Sequence, residues 1–142
     1  MVNNLGSDGS VLTELHRATH ATVHALAARL SHLELTASEQ NVLAVLADGL
    51  PRAVGGLAAA TGTKPTTLTS VLDRLERRGH LVRELDPADR RSFLVVLTSS
   101  GRRAARAVHA AVADLERAAL GSVSDADLAG FRAVTRALTE AS

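Results

Sequence analysis

The sequence predicts a mainly helical chain with one small β-hairpin, of the α+β class. Three observations carry this expectation. Apolar residues return at three- and four-residue spacing in six separate stretches. Between the fourth and fifth stretches the period changes to two short runs rich in Val and Leu around a polar turn. Aromatics are nearly absent, with only Phe93 and Phe131, while alanine and leucine dominate and favour helices. A hydrophobic fraction of 46% with 22% charged residues reads as globular rather than disordered.

The first helix is expected over residues 11–30, where Leu12, Leu15, Thr19, Val23, Leu26 and Leu30 form one narrow stripe. Residues 31–35 make a short connection. Thr36 is a fitting N-cap, and Glu39 three residues later completes a capping box for a second helix to about residue 47. Asp48, Gly49 and Pro51 end it. A short third helix spans residues 53–61, with Gly62 as its C-terminal cap. The fourth runs from 64 to 78, with Pro65 in the first turn, where a missing N–H is harmless, and Leu68, Val71, Leu72 and Leu75 inward.

Residues 81–85 and 92–97 read as strands around the polar turn 86–91. Thr98 caps a long fifth helix to about residue 120, and Gly121 breaks it. Ser124 and Asp127 form a second capping box for a sixth helix carrying Leu128, Phe131, Val134 and Leu138. The expected organisation is a polar, disordered lead-in over residues 1–10 and one domain over 11–142. Its middle, about 36–98, can bury its own faces. The stripes of the first, fifth and sixth helices have less to cover them, which points to a helical dimer interface built from about 11–30 and 99–141.

Composition excludes several classes. With no cysteine, disulfides, thiolate chemistry and cysteine metal sites are out. No apolar run is long enough to cross a membrane, and the first residues lack the pattern of a signal peptide, so the expectation is a cytoplasmic protein. Residues 56–64 do not make a phosphate-binding loop: five residues separate Gly56 and Gly62, Thr63-Lys64-Pro65 follows, and no strand precedes. No zinc-protease or nucleophile-elbow pattern is present, so no enzyme and no cofactor is expected.

Net charge is only +1, so nucleic-acid binding must come from where the cations sit. They cluster: Arg74, Arg77, Arg78, Arg83, Arg90, Arg91, Arg102, Arg103 and Arg106 fall within a short span. The third helix, the Gly62 turn and the fourth helix form a helix-turn-helix, which places its second helix in the major groove. The outward face of that helix supplies Lys64, Thr66, Thr67, Ser70 and Arg74, hydroxyls and cations that suit phosphates and base edges. The hairpin tip adds Asp89, Arg90 and Arg91. A thin ribbon tipped with arginine suits the negative potential of the minor groove. Asp89 is expected to hold Arg91 in one pose by a charge-assisted hydrogen bond.

Asp73-Arg74-Leu75-Glu76-Arg77-Arg78-Gly79, Asp86-Pro87-Ala88-Asp89-Arg90-Arg91-Ser92 and Val96-Leu97-Thr98 with Gly101 together resemble the MarR regulators, as do Leu35-Thr36, Gln40 and Leu43 upstream. The resemblance covers nearly the whole chain, and the wing segment is its most specific part. It implies a triangular homodimer with two winged helix-turn-helix lobes and a pseudo-palindromic operator. It further implies control of transcription, commonly repression relieved by a small-molecule effector. It places Arg91 in the minor groove with Asp89 orienting it, and Arg90 near the backbone. It also implies an effector pocket between the first and fifth helices and the DNA-binding lobe, where Arg17, His20 and Arg29 could meet a carboxylate. Lys64-Pro65 departs from the pattern, which often has serine and a polar residue there.

Two other readings of the same residues stay open at this stage. One is a winged helix used for protein contact without DNA. The other is a metal- or pH-responsive regulator using His16, His20 and His24, which recur every four residues on one helix face.

Overall fold

The computed structural model describes residues 9–142. Apart from Gly9 and Ser10, the expected disordered lead-in therefore lies outside the described residues. In chain order the elements are α1 (Val11–Arg29), α2 (Ala37–Val45), β1 (Arg52–Ala53), α3 (Val54–Thr61) and α4 (Pro65–Arg77). There follow β2 (Leu81–Leu85), β3 (Phe93–Leu97), α5 (Ser99–Leu120) and α6 (Asp125–Glu140). Short 3-10 turns occupy Ser31–Leu33 and Leu46–Asp48.

The chain divides into two compact units, one reaching Val112 and one over Ala113–Ser142. In the first, the core gathers Val42, Leu43 and Leu46 with Leu57, Leu68, Val71, Leu72, Leu75, Leu81, Val95, Ala104, Ala105 and Val108, all essentially inaccessible to water. Each large aliphatic side chain fully buried there stabilises the fold by about 1.5–3 kcal/mol. On α4 the buried positions 68, 71, 72 and 75 lie on one side, so the opposite side faces outward by geometry alone. The second unit holds the end of α5 and α6 and has no buried residue.

The sheet has the order β1-β3-β2, all antiparallel, with Arg52 opposite Val95 and Leu81 opposite Leu97. Sequence periodicity finds β2 and β3 but not β1, because two residues carry no readable alternation. Ala53, expected in the third helix, instead belongs to this strand and enters α3 in extended conformation. The α1 stripe is largely uncovered: Leu30 is buried, but Leu12 is 49% and Val23 38% exposed. Among the described residues no helix is long and apolar enough to cross a membrane.

Candidate nucleic-acid interface

The turn between α3 and α4 is tight because Gly62 sits at φ +67°, a left-handed conformation that glycine adopts without strain. The backbone N–H of Thr63 closes it by donating to the Ala58 carbonyl at 3.2 Å, and Asn41 on α2 donates its amide to the Thr61 carbonyl at 3.2 Å. Lys64 enters α4 in extended conformation and its side chain caps nothing, while Pro65 opens the helix. The first-turn N–H groups of α4 thus face out beside a cation, which makes this end electropositive.

Lys64, Thr66, Thr67 and Ser70 are all exposed, and their side chains have no hydrogen-bond partner among the described residues. Arg74, expected to stand with them, is placed differently. Its Nε donates to Glu39 Oε1 at 3.1 Å. Glu39, only 2% exposed, also faces Arg78 Nη1 at 3.4 Å. The reason is electrostatic: a carboxylate buried on α2 must be paired, and α4 brings the nearest cations. The same pairing corrects the expected capping box. Thr36 Oγ1 does accept from the Glu39 N–H at 3.2 Å, but the Glu39 carboxylate turns toward α4 rather than back to Thr36.

Arg78 is anchored further by donating to the Leu33 carbonyl at 2.7 Å and the Glu34 carbonyl at 2.8 Å. Glu34 holds a left-handed φ of +51°, which turns consecutive carbonyls toward that guanidinium. Arg83 on β2 spans to Asp73 and Glu76 on α4, so ion pairs tie the strand to the helix. Its guanidinium pKa is raised, first by the Asp73 hydrogen bond and then by Glu76. Arg102 donates to the Leu97 carbonyl and Ser99 Oγ. The cationic cluster seen in sequence thus separates into two sets. Arg74, Arg78, Arg83 and Arg102 brace the fold. Arg77, Arg90, Arg91, Arg103 and Arg106 are exposed, with no side-chain partner among the described residues.

Two carboxylates cap the hairpin tip. Asp86 Oδ1 accepts from the Ala88 N–H at 2.9 Å, and Asp89 Oδ1 accepts from the Arg91 N–H at 3.0 Å. The expected charge-assisted bond from the Arg91 guanidinium to Asp89 is therefore not what forms. Asp89 fixes the backbone of Arg91 and leaves its head group free.

His16, His20 and His24 are exposed along α1, and among the described residues no group of three or more His, Asp or Glu is placed to hold a metal. His80 sits at the joint between α4 and α5, its Nδ1 2.9 Å from Ser100 Oγ. Burial pushes its pKa below the ordinary value, Arg78 adds to this, and Glu39 opposes it.

Inside the first unit a cavity of about 360 Å³ opens between α1, α2 and α5. Val23, Leu26, Ala44, Val108 and Val112 form its apolar wall. Ala37, Ser38, Gln40, Asn41 and Thr63 complete it, and Thr63 directly precedes Lys64. Arg17, His20 and Arg29 do not line it, because they project from other faces of α1.

The sequence pattern of the MarR family matches residues 33–92. The HTH-type transcriptional regulator TtmR of Methylorubrum extorquens (strain PA1) is 34% identical over 95 residues, 67% of this chain and 49% of that protein. The chain thus spans about half the length of this curated relative. Among solved structures, CouR from Rhodococcus jostii RHA1 bound to p-coumaroyl-CoA is 28% identical with a TM-score of 0.81, covering 97% of this chain and 96% of that one. Bordetella bronchiseptica BpsR, whose DNA binding is regulated by 6-hydroxynicotinic acid, is 27% identical with a TM-score of 0.73, covering 91% and 98%.

Proposed function

The chain belongs to the MarR family, whose members are transcriptional regulators, and from that premise we propose that it is a homodimeric, sequence-specific binder of double-stranded DNA. In this reading it represses transcription and releases its operator when a small molecule binds. The observation that carries it is the pairing of an uncommitted polar row on α4 with an uncommitted arginine tip on the adjoining wing. Lys64, Thr66, Thr67 and Ser70 enter the major groove, while Arg90 and Arg91 reach the backbone and the minor groove. Arg74 supports this surface from behind through Glu39 rather than reading a base. No catalytic role is assigned to any residue.

Two features support the dimer and the effector response. α1 leaves Val11, Leu12 and Val23 exposed, and the second unit leaves Leu120, Val123, Phe131 and Val134 exposed, apolar surface of the kind a partner covers. The cavity between α1, α2 and α5 touches Thr63, in the turn that aims α4, so a molecule filling it acts on the reading helix directly.

Selection from a pool of random duplexes by the purified chain tests the proposal. The expected product is an inverted repeat whose half-site centres lie about 10 bp, or a multiple, apart. Failure to enrich any duplex at low salt, or a monomer in solution, would count against it.

A further inference from the structure

Resting on the reading of the chain as a DNA binder, we infer that the cross-strand pair Leu85 and Phe93 is an apolar seat for the sugars of the DNA strand that passes between α4 and the wing tip. The seat gives binding a salt-independent component beside the cationic one.

Strand alternation sets where the pair stands. Leu81, Arg83 and Leu85 share one face of β2, and their partners Leu97, Val95 and Phe93 share the matching face of β3. Leu81, Val95 and Leu97 are buried in the core, and Arg83 reaches Asp73 and Glu76 on α4. This is therefore the face turned toward α4. Leu85 and Phe93 form its last rung before the tip, yet they stay 59% and 47% exposed. Directly beyond them the Asp86 N–H donates to the Ser92 carbonyl at 3.0 Å, and the turn so closed carries Arg90 and Arg91.

Groove geometry names the occupant. One sugar-phosphate strand separates a major groove from the adjacent minor groove, so a helix in the first and a ribbon tip in the second straddle that strand. The side of the wing turned to α4, short of the tip, is the surface the strand crosses, and the pair occupies it. The pair is also continuous with the interface already described, between the braced end of α4 and the exposed arginines of the tip. Its charge suits sugars rather than phosphates. Arg83 is committed to Asp73 and Glu76, and among the described residues no other cation stands on this face of β2 and β3. Deoxyribose offers C–H surface, and covering Leu85 and Phe93 with it removes apolar area from water on both sides.

Hydroxyl-radical footprinting of the selected duplex tests the seat directly, because the radical attacks exposed deoxyribose C–H groups. The unaltered full chain is expected to protect, in each half-site, the sugars of one strand between the major-groove and minor-groove contacts. Reactive sugars there in its complex would overturn the inference whatever any variant does. Leu85→Thr/Phe93→Thr keeps strand-forming side chains while removing most of the apolar surface. This double variant is expected to lose those protections, retain the minor-groove ones, and bind about tenfold more weakly at low and high salt alike, with its log-log salt slope unchanged. Phe93→Leu, which keeps an apolar side chain, and Val82→Thr, 40% exposed on the opposite face of β2, are expected to bind as the unaltered chain does. Unchanged affinity in the double variant, an equal loss in Val82→Thr, or a lowered slope, which would mean displaced tip arginines, would overturn the seat. So would a change of oligomeric state in size exclusion with DNA affinity intact, which would assign the pair to a contact between copies. Duplex binding with those sugars reactive defeats the seat alone, whereas a chain that binds no duplex defeats the regulator reading and the seat with it.

Discussion

Replacing Gly101 by alanine probes how the reading helix is joined to α5. Gly101 is buried in the first turn of α5, and a Cβ there would overlap the His80 carbonyl oxygen and press on Leu97 Cδ2 at 3.1 Å. The obstacle is backbone, so it cannot rotate away. Relief requires α5 to back off from the Gly79–His80 link, and three hydrogen bonds make that joint. The Thr98 N–H donates to the His80 carbonyl at 3.1 Å, Thr98 Oγ1 donates to the Gly79 carbonyl at 2.6 Å, and His80 Nδ1 pairs with Ser100 Oγ at 2.9 Å. At about 1 kcal/mol each, their loss costs about 3 kcal/mol. Loosened packing around Leu97 and Ala104 adds about 1 kcal/mol more. Urea unfolding at fixed protomer concentration should register about 3–4 kcal/mol, and thermal unfolding a drop of about 10 °C. Gly130→Ala serves as the contrast: nothing lies near its added Cβ on exposed α6, so the same change should stabilise by about 0.5–1 kcal/mol. A cost below about 1 kcal/mol for Gly101→Ala would refute this account of the joint.

Other perturbations follow from the same geometry. Glu39→Gln removes the charge that holds Arg74 and Arg78. Because those arginine side chains are 41% and 36% exposed, solvent screening limits the loss to about 1–2 kcal/mol, measurable as a lower urea midpoint. Arg91→Ala should weaken duplex binding and lower the salt slope by about 1 while leaving the unfolding curve unchanged, and unaltered affinity would count against the wing assignment. His80 gives a pH signature. Its folded pKa lies below the unfolded value near 6.5, so in that window the unfolded chain binds more protons. Stability should therefore be full above about 6.5, fall as pH drops through the window toward the folded pKa, and level off below it. His80→Asn should flatten that slope, and an unchanged slope would assign the titration elsewhere.

The helices were legible because each carries a strong period and a recognisable end, such as Thr36, Pro65, Gly62 and Thr98. The β-hairpin was legible from the Val and Leu runs around a turn rich in aspartate and arginine. β1 was not, since only two residues pair and their strand character comes from β3. At the candidate site the exposed α4 row follows from the spacing of Leu68, Val71, Leu72 and Leu75. The fate of the arginines does not. Arg74 and Arg78 turn toward Glu39, thirty-five and thirty-nine positions away, and no local pattern announces such a pairing. One signal was present: Glu39 falls in a stretch of α2 with Val42 and Leu43, a position where a carboxylate is buried and needs a cation. Gly101 was visible as a motif residue, but its reason, the His80 carbonyl, exists only once the chain is folded.

The central claim is that paired copies lay α4 and the wing on duplex DNA through cations that the fold leaves uncommitted. Fluorescence anisotropy of a selected, labelled duplex across 50–300 mM salt measures this most directly, with size exclusion giving the stoichiometry. The predicted result is one dimer per duplex and a log-log slope of about −0.9 for each phosphate neutralised, shallower in the Arg90→Ala/Arg91→Ala double variant. A flat salt response, or a slope indifferent to both arginines, would contradict it.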